Sequence, residues 1–128
     1  MSALRKTLSI LALSLALTAC GGDPIKPLFD ALKSGDFAKT EAVSDALIAK
    51  QPESKAVHAV RFALFRHLSV HGPADKQAAY VTKSIAEYDA LAQSLGLKPD
   101  YANMEDSLRS NPEGKTLLQA ARGPLYGE

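Results

Sequence analysis

Cysteine occurs once among the 128 residues, at position 20, and a lone thiol excludes an internal disulfide, so the fold has to hold by packing. An excess of either charge is also missing. Fifteen lysines and arginines face 14 aspartates and glutamates, a formal net charge of +1, so no basic field exists to draw nucleic acid or anionic lipid. Strand-like alternation is absent, which leaves helical periodicity as the organising pattern. No glycine-rich loop follows a strand and no serine sits in a nucleophile elbow, which removes the commonest phosphate-binding and hydrolase arrangements. A membrane-length apolar run is lacking too. The apolar stretch from Leu8 to Ala19 has twelve residues; it would rise about 18 Å as a helix against a hydrocarbon core of about 30 Å.

What is present begins with that short stretch. Arg5 and Lys6 precede it as a positive flank, and Leu17-Thr18-Ala19-Cys20 closes it with an apolar residue, two small ones and a thiol. This order resembles the signal peptide and lipobox of bacterial lipoproteins. The resemblance implies that residues 1–19 are removed by cleavage between Ala19 and Cys20. It also implies a diacylglyceryl thioether on Cys20 and a further acyl chain, such as palmitate, on its amine. Each buried methylene contributes about 0.8 kcal/mol, so two or three chains make a firm anchor. Gly21, where an inner-membrane lipoprotein often carries aspartate, implies the periplasmic leaflet of the outer membrane. In an organism without an outer membrane the same signal implies the outer face of the cytoplasmic membrane.

The remaining chain divides into a lipidated N-terminus and tether, 20–24, and one helical domain, 25–128. Without Arg5 and Lys6, 13 basic residues meet 14 acidic ones, so attachment to a membrane has to come from the lipid. A span of 109 residues suffices for one small core, not two. The tether reaches roughly 15 Å, which keeps the domain close to the bilayer.

From Pro24 onward the spacing predicts an all-α bundle of five to six helices in antiparallel hairpins. Ile25, Leu28, Phe29 and Leu32 stripe a first helix that closes at Ser34-Gly35-Asp36. A second runs to about Lys50 with Phe37, Val43, Ala46 and Leu47 on its apolar face. Pro52 suits the start of a third, in which Val57, Val60, Leu64 and Leu68 face one side and Phe62 and Phe65 broaden it, so this helix is expected at the centre. Gly72-Pro73 breaks the chain. Ala74 to Leu95 is the longest helix, with Val81, Ile85, Tyr88, Ala92 and Leu95 inward and Gly96 as a left-handed cap. A fifth, about Asp100 to Ser110, carries Tyr101, Met104 and Leu108. Asn111-Pro112 opens a sixth with Leu117, Leu118 and Ala121, and Gly123-Pro124 is expected to release a short tail.

Gly35-Asp36-Phe37, Leu47-Ile48 and Pro52 together resemble the turn, second helix and closing proline of a tetratricopeptide repeat, over about 30 residues. That resemblance implies stacked helical hairpins. Thr40 and Leu47 depart from it at positions where the family prefers alanine, and no second glycine turn follows Lys55 at the repeat distance.

One spacing fits metal ligands. His67 and His71 lie one turn apart on the third helix, as a zinc or copper site requires, but two ligands do not complete a site, and His58 is half a turn out of phase with them. Packed or boundary histidines are the expectation, with no metal and no cofactor beyond the lipid on Cys20. Glu105 and Asp106 are adjacent and point about 100° apart, which suits solvated surface better than paired acid-base work. Tyr80, Tyr88 and Tyr101 are expected in the core or at its boundary, and Tyr126 has no evident place. The sequence thus reads as a non-enzymatic lipoprotein that binds a protein partner as a scaffold or as an assembly or pilot factor. A periplasmic inhibitor or immunity-type lipoprotein fits the same size, and a metal-binding lipoprotein is the third reading.

Overall fold

Pro27 in the first turn of α1 (Lys26–Ser34) has no amide hydrogen to leave unsatisfied, and the helix ends where Gly35 takes a φ of 80° and donates its N–H to Leu32 O. The computed structural model describes residues 25–126, so the lipobox, Ala19 and Cys20 lie outside the described residues. Asp36 then caps α2 (Phe37–Lys50), its carboxylate accepting from Lys39 N–H at 3.0 Å. Leu28 and Leu32 of α1 pack with Val43, Leu47 and Ile48 of α2, making an antiparallel hairpin about the Gly35 turn.

The α3 helix (Lys55–His71) begins at Ser54, whose hydroxyl accepts from Val57 N–H at 3.2 Å. Pro52 was the expected start, yet it lies in the preceding turn. Ser54 takes the capping role because its side chain can satisfy an orphan amide, which Pro52 cannot. Val57, Ala59, Val60, Phe62, Leu64 and Phe65 are all enclosed, so α3 is buried on nearly every side. Full burial of one such large apolar side chain contributes roughly 1.5–3 kcal/mol.

After Gly72-Pro73 a 3-10 turn, Ala74–Lys76, leads into α4 (Gln77–Ser94). The Gln77 amide donates to Val70 O and Gly72 O at 3.0 and 2.9 Å, satisfying carbonyls that the end of α3 leaves open. Gly96 closes α4 at φ 71°, with Leu97 N–H reaching Ala92 O at 2.9 Å. A second 3-10 turn, Tyr101–Asn103, precedes α5 (Met104–Arg109), so the expected fifth helix is tighter at its start and shorter. Asn111 accepts from Gly114 N–H at 3.0 Å and caps α6 (Pro112–Tyr126). Gly114 is buried, and a Cβ there would run into Leu108 O, so its lack of a side chain sets how closely α6 approaches α5.

Gly123-Pro124 does not release a tail. The α6 helix continues through both to Tyr126, because Leu125 packs against two clusters of the core and Tyr126 against His67. Those contacts offset the backbone hydrogen bond that Pro124 cannot donate.

The six helices form a small all-α bundle with no strand among the described residues. Three apolar clusters make up its core, and each includes residues of α3. The first joins Ala59 and Phe62 to Tyr88, Leu91, Leu108 and Leu118. The second joins Val57, Val60 and Ala63 to Leu28, Leu32 and Ala121. The third centres on Leu64, Phe65 and Leu68. Because α6 packs on both α3 and α1, the helices close around α3.

Two helix faces differ from their expected stripes. On α2 the enclosed positions are Thr40 and Ser44, while Ala46 is exposed. Both hydroxyls bond helix carbonyls of their own chain, Asp36 O and Glu41 O at 2.8 Å, so small polar residues are buried there without loss. On α4 the buried face is Ser84, Glu87, Tyr88, Leu91 and Ala92, which leaves Val81 45% exposed.

Candidate functional site

Four rings gather at one end of the bundle. Phe37, at the start of α2, meets the His67 ring edge-on at 5.1 Å between centres; His71 lies 4.7 Å from it and Tyr126 5.6 Å. The turn geometry explains the meeting. α2 runs antiparallel to α3, so its first residue reaches the last turns of α3, and α6 brings its final residue to the same place. The Arg122 guanidinium stacks 4.7 Å from the Tyr126 ring and pairs with Glu105, which fixes the end of α6. Burial, reinforced by the charge on His71, pushes the His67 pKa below its ordinary value and favours a neutral imidazole.

Beside these rings runs an open groove of about 420 Å³ between α2, the end of α3 and the start of α4. Phe37, Ala38, Ala42, Leu68, Pro73 and Tyr80 give it apolar surface. Glu41, Asp45 and Lys76 supply charge, but the two carboxylates are already engaged. Glu41 accepts from Tyr80 Oη at 3.0 Å and from Lys83 Nζ at 2.8 Å, and Asp45 accepts from Arg61 at 2.6 Å. Burial and the Glu41 carboxylate together raise the Tyr80 phenol, so it stays a protonated donor. The groove therefore offers apolar contact beside two paired carboxylates, with Lys76 as a further charge on its rim.

A second arrangement lies deeper, and its parts come from three helices and a loop. Glu87 of α4 sits between His58 and Arg61 of α3: His58 Nδ1 is 2.6 Å from one carboxylate oxygen and Arg61 Nε donates to the other at 2.8 Å. Arg61 continues to Ser44 and Asp45 of α2. His58 Nε2 is 2.7 Å from Pro52 O, which can only accept, so that nitrogen carries a proton. The hydrogen bond that His58 donates to Glu87 raises the His58 pKa against the opposing effect of burial. Burial alone would raise Glu87, but hydrogen bonds from His58 and Arg61 override it and hold the carboxylate below its ordinary range. An imidazolium therefore donates from both nitrogens.

A histidine oriented by a carboxylate is half of a nucleophile-activating set. Here the other nitrogen is occupied by a backbone carbonyl. Ser94, which lines the pocket outside His58, directs its hydroxyl to Ala90 O at 3.0 Å. The network is thus arranged to tie the 51–54 turn and α2 to the α3–α4 pair.

Of the residues singled out by sequence, His67 and His71 are brought together, and His58 is turned away to Glu87. No group of three or more His, Cys, Asp or Glu side chains with metal-holding geometry occurs among the described residues. Glu105 is half-buried and pairs with Arg122 and Arg109, so it is not the open surface carboxylate expected, while Asp106 is exposed. Tyr88 is fully buried and Tyr80 half-buried, as expected, but Tyr101 is 55% exposed because its hydroxyl bonds Asp89 at the surface. The His58–Glu87–Arg61 network was not anticipated. Its signal was Glu87, a charge set among Ser84, Tyr88 and Leu91 on one helical face.

Fold and surface together define a class, a small closed helical bundle with an apolar groove and a ring cluster at one end. No known protein family matches the chain, and no curated protein or solved structure is significantly similar to it.

Proposed function

We propose that this chain is a non-enzymatic lipoprotein, anchored through Cys20 at the periplasmic face of the outer membrane, that serves as a scaffold or as an assembly or pilot factor for a protein partner. The observation that carries this reading is the run Leu17-Thr18-Ala19-Cys20 only a few residues before the bundle starts at Ile25. The groove lined by Phe37, Ala42, Leu68 and Tyr80 supports it with apolar surface beside carboxylates that are already paired. None of the described helices is long and apolar enough to cross a membrane, so attachment in this reading falls to the lipid. Confinement to one leaflet raises the effective concentration of a partner, and a groove of modest affinity then suffices.

The test places a photo-crosslinking residue at exposed Ala42, in wild type and in Cys20→Ser, with palmitate labelling and membrane fractionation in parallel. Wild type is expected to take up label, fractionate with membranes and crosslink to a secretion or assembly component. Cys20→Ser is expected to lose all three. Capture of a toxin or hydrolase would instead favour the inhibitor reading. An unlabelled wild type would remove the anchor from the argument.

A further inference from the structure

Two acceptors bracket one imidazole where α3 leaves the 51–54 turn, and neither can supply a proton. His58 Nδ1 is 2.6 Å from the Glu87 carboxylate, and Nε2 is 2.7 Å from Pro52 O. A neutral imidazole has one N–H, so at these distances it points a lone pair at an acceptor on one side. Only the imidazolium satisfies both. The bond that fails on deprotonation follows from the two partners. Glu87 is buried, charged and held by Arg61 Nε at 2.8 Å, so it keeps the remaining proton on Nδ1. Pro52 O is a neutral carbonyl in a turn whose Gln51, Pro52 and Glu53 are all exposed. The backbone bonds of that turn are short-range, Gln51 N–H to Leu47 O at 2.8 Å and Ser54 N–H to Gln51 O at 3.1 Å. Space for it to move lies alongside, in an open cleft of about 420 Å³ that Pro52, Glu53 and His58 line with Ala90, Gln93 and Ser94 of α4. Through the same cleft, solvent protons reach His58.

We propose that His58 is a proton-operated latch: as the imidazolium it pins the 51–54 turn to α4 through Pro52 O and Glu87, and as the neutral ring it releases the turn while the bundle stays folded. The charges around the ring come from every element packed there. Glu87 of α4 favours the charged ring, and Arg61, one turn on in α3, disfavours it more weakly. Asp45 of α2 meets the network through Arg61, Glu53 of the turn lines the cleft outside, and Lys55 is drawn to Glu113 of α6 at 3.1 Å. The bond to Glu87 lifts His58 above its ordinary 6.5. The latch is therefore closed below that value and opens as pH rises through the folded-state value.

The full-length chain, labelled with 15N and held in detergent, is titrated by NMR from mildly acid to mildly alkaline pH. Ring-nitrogen shifts report the protonation of His58 apart from that of His67 and His71. Amide exchange, corrected for the intrinsic effect of pH, is followed at Ser54 in the turn and at Leu64 in the middle of α3. Ser54 protection should fall about tenfold or more as His58 loses its proton, since a hydrogen bond to a charged group is worth at least about that factor. Leu64 should stay far better protected than Ser54 throughout, which marks a local release. Ser54 protection that ignores the His58 titration, or that equals Leu64 protection at every pH, would overturn the proposal. His58→Leu, with no donor, should show weak Ser54 protection even at acid pH and no further change; a wild-type pH profile in that variant would also overturn it. Should His58→Leu not fold, the wild-type titration decides alone.

Discussion

Glu87 holds two cations at once, so its removal does more than subtract one contact. In Glu87→Gln, His58 loses the carboxylate that favours its charged form, and Arg61 keeps only Asp45 and Ser44 as partners. Breaking a buried pair from one side costs about 3 kcal/mol, and that loss is the expected change in unfolding free energy near neutral pH. The pH profile gives a sharper signature. His58 is raised from its ordinary 6.5, so its contribution is complete below that value and is lost as pH rises through the folded-state value. Glu87 is lowered from its ordinary 4.5, so its contribution is complete above that value and is lost as pH falls through the depressed one. Wild type should therefore show declining stability on both sides of a mildly acid-to-neutral plateau in chemical denaturation. Glu87→Gln should flatten both slopes; unchanged slopes would mean that the network does not set them. None of this pairing was legible in the chain, because residues 29 positions apart meet only once α3 and α4 have packed.

Helix boundaries were legible where a glycine turn or an unrivalled capping side chain fixed them. The Gly35 and Gly96 turns, the Gly72-Pro73 break and the Asn111-Pro112 start all fall where the local chemistry places them. Boundaries failed where two signals competed, decided by a local cap at one place and by tertiary contacts at the other. Pro52 and Ser54 both suit a helix start, and Gly123-Pro124 suits a helix end until Leu125 and Tyr126 find partners on α3. Inner faces were less legible than boundaries. Alanines and hydroxyl residues on α2 carry little apolar contrast, so Thr40 and Ser44 turn inward and Ala46 outward. The Ser54 cap makes the point measurable. Ser54→Ala should lower stability by about 1 kcal/mol through loss of the bond to Val57 N–H, as helix caps generally do. Pro52→Ala keeps the carbonyl that His58 uses and should cost less. Thermal melts of the two variants decide the matter, and a larger effect for Pro52→Ala would reverse the assignment of the helix start.

At the scale of the whole molecule, α3 is a spine and the other helices are arranged around it, so the bundle has two distinct ends. The Gly35 turn, Phe37, His67 and Tyr126 share one of them. The nine-residue α1 runs back from that end for about 13 Å, so the chain enters the bundle at Ile25, away from the rings. If Cys20 is the anchor, the bilayer is near the entry point and the ring end faces outward from it. Only Gly21 to Pro24 lie between, a reach of roughly 15 Å, and that closeness becomes part of how the groove meets a membrane-bound partner. Inserting about 40 glycine and serine residues between Gly22 and Asp23 would widen the reach to about 35 Å. Effective concentration falls roughly with the explored volume, so crosslinking from Ala42 to a partner in the same membrane should drop about tenfold. The amount of chain in the membrane fraction should stay constant, since the lipid and the fold are untouched. An unchanged crosslinking yield would show that the lipid merely retains the protein in the envelope, and that the short tether has no share in bringing groove and partner together.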